Sequence, residues 1–266
     1  MKERKYRISY IVGISILALL LAATIISCFY TPYDPNGING AEKFMAPSLK
    51  HLFGTDNYGR DVFSRVLVGL RTTFLVAFMT VVIGAFFGTV IGAFTGYIGG
   101  WFDEVVMRIN DAVASFPSVL VAMVMMCIVG TGKDKLIMIM GIVFIPSFAR
   151  VMRSEYIRLK HRDFVNSAKL MKCSPLRIMF VHIFPNTLET LIPAIAIGFN
   201  NAVLTEASLS YLGIGVQPPQ ASLGRILSES QGYFSKIWCV FFPGLVMILM
   251  ILGFVLFSES LKRRNR

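Results

Sequence analysis

Charge is scarce in this chain. Only 15% of its 266 residues are Asp, Glu, Lys or Arg, and 55% are hydrophobic, whereas roughly a quarter of a soluble domain is charged. Water is therefore not its main solvent. Residues that bind metals or form disulfides are equally sparse. Cys28, Cys127, Cys173 and Cys239 are scattered without a CxxC pair, so neither a disulfide framework nor a zinc site is indicated. His51, His161 and His182 stand far apart and no Ser-His-Asp or HExxH spacing occurs, which leaves catalysis without support. A phosphate loop of the form Gly-x-x-x-x-Gly-Lys-Ser/Thr is missing too. Gly130-Thr131-Gly132-Lys133 has neither the leading glycine nor the following hydroxyl, and ATP binding by that route is excluded.

What is present is a series of apolar runs long enough to cross a bilayer core, which takes about 20 helical residues. The net charge of +11 sits in short Lys and Arg blocks at the ends of these runs, a pattern of membrane topology rather than of nucleic-acid binding. The 14 methionines, with Met123, Met125 and Met126 clustered, read as gap-fillers in apolar packing, and no metal site is expected of them.

The first run, Ile8 to Tyr30, follows Lys2, Arg4, Lys5 and Arg7, a basic cluster that holds an N-terminus in the cytoplasm. Ile25-Ile26-Ser27-Cys28 resembles a lipoprotein cleavage site, but the run exceeds the 7 to 15 residues of a signal core, so an uncleaved anchor is the reading. Residues 31–71 are polar and rich in Pro, Gly, Asn and Asp, which marks an irregular extracytoplasmic segment. The second run, Thr72 to Phe102, places Gly84, Gly88, Gly92 and Gly96 at every fourth position. That aligns them on one face as a packing seam.

The third run is Ala112 to Gly132, and the fourth begins at Leu136, contains Pro146 and meets Arg150. The fifth, Thr190 to Thr205, holds Pro193, Asn200 and Asn201. Polar groups at membrane depth must be satisfied by protein or water, so Pro146, Asn200, Asn201 and Glu206 are candidates to line an aqueous path. Glu206 reads either as a proton-coupling carboxylate or, preferably, as the partner of a helix end or an Arg in the loop that follows. Ala207 to Gly224 is rich in Pro, Ser, Gln and Gly and reads as an external or re-entrant loop within 207–236. The sixth run, Ile237 to Ser258, ends in Lys262, Arg263, Arg264 and Arg266. The fold class is thus all-α integral membrane with about six transmembrane helices and both termini cytoplasmic. Residues 1–30 form a tail and first span, and 72–266 a core of five spans.

Between the fourth and fifth runs lies a basic loop, 150–186. Tyr156, Leu159, Phe164, Ala168 and Met171 fall at roughly the spacing of one helix face, and Ser174-Pro175 reads as an N-cap and first position of a second short helix ending at Pro185. Such a unit either rests on anionic headgroups or presents a face to a soluble partner. Asp56, Gly59, Arg60 and Asp61 pose a similar choice between a docking or gating surface and, preferably, a turn whose Asp-Arg pair fixes the start of the second run.

The stretch DFVNSAKLMKCSPLRIMFVHIFPN resembles the cytoplasmic "EAA" loop of binding-protein-dependent ABC import permeases. Asn166-Ser167-Ala168 stand at its Glu-Ala-Ala, Lys172 at its turn glycine, and Pro185-Asn186 at its final pair. The peptide and nickel branch is resembled more closely still. Its segments appear here as Gly54-Thr55-Asp56 with Gly59-Arg60-Asp61, then Gly99 to Glu104, Phe116-Pro117-Ser118, Glu206 to Pro219 and Phe242-Pro243-Gly244. The last helix departs, with Val255 and Ser258-Glu259 where the family has an Asn and a Gly-Asp pair.

The resemblance implies a type I importer permease fold in a bacterial inner membrane and a cargo of dipeptides, oligopeptides, or nickel or metal chelates. It implies four kinds of partner: a second homologous permease, cytoplasmic ATPases that bind ATP and Mg, an extracytoplasmic solute-binding protein, and the lipid bilayer. Asn166, Ser167, Ala168, Lys172, Ser174, Pro175, Pro185 and Asn186 would then couple to the ATPase. Two other classes stand beside this one. An ion-gradient-driven secondary transporter would need paired mid-span charges and an inverted repeat, and a membrane-embedded enzyme or insertase would need polar catalytic groups on facing spans.

Overall fold

A computed structural model describes residues 2–264, with side chains over 10–260. The basic clusters at Lys2 to Arg7 and Lys262 to Arg266 have side chains outside the described residues. The elements in chain order are α1 (Lys2–Phe29), α2 (Val62–Ile98), α3 (Gly100–Ala114), α4 (Ser118–Val129), α5 (Lys133–Leu159), α6 (Asp163–Leu170), α7 (Pro175–Arg177), a π-helical stretch Ile178–Ile183, α8 (Phe184–Tyr211), α9 (Leu223–Glu229) and α10 (Ile237–Arg264). Among the described residues five helices are long and apolar enough to cross a membrane, or six if the bent pair α3 and α4 forms one span.

The pairing of the helices decides that count. A Cβ placed on Gly84 would stand 2.9 Å from Phe144 Cβ, on Gly88 2.5 Å from Phe148 Cβ, on Gly92 2.7 Å from Met152 Cβ, and on Gly96 2.7 Å from Tyr156 Cβ. Both series advance by four in the same direction, so α2 and α5 run parallel, with the glycine seam as their contact. Parallel neighbours need one return crossing between them, and α3 with α4 supplies it. α8 runs against α2, since Glu206 meets Thr73, Phe199 meets Phe74 and Phe180, in the π stretch that leads into α8, meets Phe94. α1 and α10 are antiparallel as well, with Gly13 against Leu256 and Gly253 against Leu17. Six crossings bring the start of α1 and the end of α10 to the end of the bundle that carries α6.

Several helix bounds differ from the sequence reading, each for a local reason. α2 starts at Val62 rather than Thr72, because Asp61 caps it by accepting from Ser64 N at 2.8 Å and because Arg65 finds carboxylate partners inside the fold. Residues 62–71 of the expected irregular segment are therefore helical. The third run is not one helix: it bends by 84° between α3 and α4, where Pro117, which has no N–H to donate, precedes α4. α5 continues past Arg150 to Leu159 since Arg150 pairs with Asp111 at 2.8 Å and Arg153 grips Asp103 through two hydrogen bonds of 2.5 and 2.6 Å.

The fifth run likewise extends, and an unbroken helical path covers Pro175–Tyr211. Pro185 does not end it. The chain widens into the π register just before, where Phe184 N–H reaches Met179 O, and proline sits in the first turn of α8, a position it tolerates. Beyond Tyr211 the expected loop appears, then folds back as α9 against α8 and α2.

Candidate functional site

Three regions hold the candidate residues. The first is a groove of about 360 Å³ between α4, α5 and α8. Ser118 opens it on α4, Val143, Ser147 and Val151 form a ladder at spacing four on α5, and Ile197, Asn201 and Thr205 face it from α8. Ser118, Ser147 and Asn201 are exposed, and no charged residue lines the groove among the described residues. Its surface is apolar with a few neutral hydrogen-bonding groups, the make-up of a small-molecule pocket.

Of the expected path-lining residues only Asn201 is here. Pro146 and Asn200 are buried in helix packing, and Pro146 O accepts from Asn110 Nδ2 at 3.2 Å. Glu206 is fully buried. Of the two partners expected for it, it meets a helix end and, among the described residues, no Arg: it accepts from Thr73 Oγ1 at 2.9 Å and Ser210 Oγ at 2.6 Å, and Ser222, the N-cap of α9, hydrogen-bonds it as well. Those hydroxyls tie α2, α8 and the N-terminal end of α9, because Thr73 Oγ1 also accepts from the N–H of Leu223, the first residue of α9, at 3.2 Å. Ser147 went unnoticed in the sequence, although its spacing from Val143 and Val151 was a readable signal.

The second region lies at the end of the bundle away from α6. Asp56 Oδ1 accepts from Tyr58 N and Arg60 N at 2.8 and 2.9 Å, and Arg60 Nε donates to Asp56 Oδ2 at 2.6 Å. Gly59 has a φ of 74°, and a Cβ there would strike Asn39 O. Asp61 caps α2 and meets His51 Nδ1 at 2.9 Å. All four are thus built into a turn, and its centre is a residue the sequence did not single out. Glu229 of α9 receives Arg60 at 2.6 Å, Arg65 at 2.9 Å and Arg225 at 3.1 Å. Only the pairing of sequence-distant segments reveals it. At the rim, Lys50 hydrogen-bonds Glu42 and holds that exposed carboxyl below the usual carboxylate range.

The third region is α6 with its turn. Val165 and Ala168 point inward and are buried, while Asn166 and Ser167 are exposed. α6 closes with Cys173 N–H on Ala168 O at 3.1 Å and Lys172 N–H on Lys169 O at 2.9 Å, the Schellman pattern. Lys172 occupies its left-handed position at φ 54°, where glycine is the usual resident. Ser174 then caps the next helix by accepting from Arg177 N, and Pro175 takes its first position, as expected. Tyr156 OH donates to Met179 O at 3.1 Å and fastens α5 to the π stretch.

The anticipated apolar face does not hold. The chain breaks at residues 160–162, and this shifts the register so that Phe164 and Met171 point outward. Leu170, Met171 and Leu176 are 85%, 72% and 58% exposed, among exposed Lys169, Lys172 and Arg177. Pro185 and Asn186 lie beside this surface and are exposed, with Asn186 Nδ2 donating to His182 O at 2.8 Å.

Residues 88–266 match the family described as the inner membrane component of binding-protein-dependent transport systems. The chain belongs to that family. The match takes in the α5–α8 groove and the α6 turn together. Among this permease's relatives is the dipeptide transport system permease protein DppC of Alkalihalophilus pseudofirmus, 35% identical over 98% of this chain and 86% of that protein. The glutathione transport system permease protein GsiD of Salmonella typhimurium is 36% identical over 97% of this chain and 86% of its own length. Among solved structures, an inward-facing MetNI methionine ABC transporter chain superposes with a TM-score of 0.59 over 76% of this chain and 94% of that one, at 18% identity. The permease is a multi-pass inner membrane protein with the type I importer fold. The gradient-driven alternative draws no support from these relatives.

Proposed function

We propose that this permease imports peptides of the dipeptide or glutathione class, driven by ATP hydrolysis on separate cytoplasmic subunits that hold ATP and Mg. The observation that carries the reading is the surface around Lys172. A helix in contact with the bundle through Val165 and Ala168 turns outward Leu170 and Met171, and the capped turn adds Leu176. Exposed apolar groups ringed by basic ones mark a protein interface, and a P-loop ATPase with an acidic rim is the partner it fits. Asn166 to Ala168 and the segment from Lys172 through Asn186 form this coupling unit.

The sidedness follows from charge. The start of α1 and the end of α10 share the α6 end, and the Lys and Arg clusters that the sequence puts there support a cytoplasmic side for it. Motion of the ATPases would reach the groove through two rigid links, Tyr156 at the foot of α5 and the π stretch leading into α8. Since the α5 and α8 walls of the groove hang on the coupling unit, a tilt of that unit changes the groove. A second, homologous permease would close its open side, and a binding protein would deliver peptide at the opposite end. Nickel and metal chelates are not part of this reading.

The test is purification from the native membrane in mild detergent, followed by ATPase measurement with the native loop and with Leu170→Asp and Leu176→Asp. A phosphate-loop ATPase that accompanies the native chain and is lost with the altered one supports the proposal. A chain that purifies alone and transports peptide under an ion gradient overturns it.

A further inference from the structure

A second cavity, of about 540 Å³, opens between α1, α2 and the first residue of α5, at the end of the bundle away from α6. Its rim carries two cations, Arg71 and Lys133, and two amides, Asn36 and Gln220. No carboxylate lines it; the neighbouring Asp34 and Asp134 are not among its walls. Arg71 donates one hydrogen bond, to Ser27 O at 3.0 Å, and among the described residues neither cation has an ion-pair partner. Lys133 also begins α5, so the N-terminal end of that helix adds to the positive potential.

The floor is different in kind. Phe74, Leu75 and Phe78 form it, and Leu75 and Phe78 are part-exposed at 37% and 47%. From there the exposed stripe continues along α2 through Val82 and Phe86, toward the middle of the span. The cations lie level with the end of α1 at Phe29, where the apolar segment stops. A basic mouth at the boundary of the apolar zone above an apolar track that leads into it matches one chemistry in both halves: a phosphate with attached acyl chains.

We infer that this cavity binds the headgroup phosphate of an anionic membrane phospholipid through Arg71 and Lys133, with an acyl chain laid along Leu75, Phe78 and Val82. Asn36 and Gln220 offer donors to the glycerol and headgroup oxygens. A bound lipid would wedge α1 to the core of the bundle at this end. The inference depends on the fold alone, and its outcome is separate from that of the peptide-import reading.

The test uses the full chain purified in mild detergent and native mass spectrometry with added phosphatidylglycerol, phosphatidylcholine or glycerol 3-phosphate. Phosphatidylglycerol is expected to be retained over phosphatidylcholine. Each cation near an anionic group is worth roughly a factor of five, so Arg71→Gln with Lys133→Gln should cut that retention by roughly twenty-five-fold. Lys133→Gln alone removes no hydrogen bond of the fold and should give roughly a five-fold loss with an unchanged melting temperature. Equal retention of the two lipids, or undiminished retention by Lys133→Gln, would overturn the inference. So would binding of glycerol 3-phosphate as tight as that of the lipid, which would make this a soluble-anion site, or displacement of the lipid by a dipeptide, which would assign the cavity to cargo.

Discussion

Gly88 of α2 and Phe148 of α5 approach so closely that a methyl group on Gly88 would lie 2.5 Å from Phe148 Cβ and 2.8 Å from Ile145 O. Neither obstacle can rotate away, because one is the root of a side chain and the other is backbone. Gly88→Ala should therefore push the two helices apart and destabilise the bundle by about 1–3 kcal/mol, the cost of overpacking. Gly244→Ala in α10, which meets nothing within 4 Å, is the control. Thermal unfolding in detergent checks both: the Gly88 variant melts earlier and the Gly244 variant does not.

Lys172 holds a backbone conformation that costs a side-chain-bearing residue roughly 1–2 kcal/mol. Lys172→Gly should return part of this and slow exchange of the Cys173 amide, whose hydrogen bond to Ala168 O closes the turn. Lys172→Val should do the opposite, since a β-branched side chain is the least tolerant of that region. If hydrogen exchange at Cys173 is the same in all three chains, the turn is not what holds α6 in place.

Much of this architecture could be read from residue spacing. The glycine repeat at 84, 88, 92 and 96 pointed to a seam because a period of four is the helix's own, and Ser174-Pro175 declared a helix start by chemistry local to the turn. Where the sequence misled, the deciding partner lay far along the chain. Arg65 reads as part of an irregular polar segment until Glu229, 164 residues away, is seen to neutralise it. Asn200 and Asn201 are equivalent as letters, yet helix rotation buries the first and opens the second to the groove. Pro185 reads as a stop because proline removes a hydrogen bond, and the π register that absorbs it leaves no mark in composition.

Glu229 joins three arginines, and Arg65 is almost wholly buried. Removing the carboxylate strands a cation that water cannot reach, a change that costs about 3–5 kcal/mol when no other partner remains. Asp56 Oδ2 stands 3.7 Å from Arg65 Nε and offsets some of this, so Glu229→Gln should cost about 3 kcal/mol at most. Arg65→Met in the same chain should restore most of the loss, since it removes the buried charge and keeps the volume. Melting temperatures of the single and double variants separate this from a general effect at the loop.

Asn201 and Ser147 face each other's wall of the groove without belonging to any network that supports the fold. Neither makes a side-chain hydrogen bond among the described residues, so replacing Asn201 should change what can pass and leave stability intact. Asn201→Phe fills the groove with an aromatic ring, and peptide uptake by cells should fall by an order of magnitude while the purified chain melts as before. Asn201→Ser keeps a neutral hydrogen-bonding group and the open space, and uptake should persist. ATPase activity of the assembled transporter separates the two ways the first variant can act. If hydrolysis continues while uptake falls, the ring obstructs the path; if both stop together, the α8 wall is part of the coupling between groove and turn.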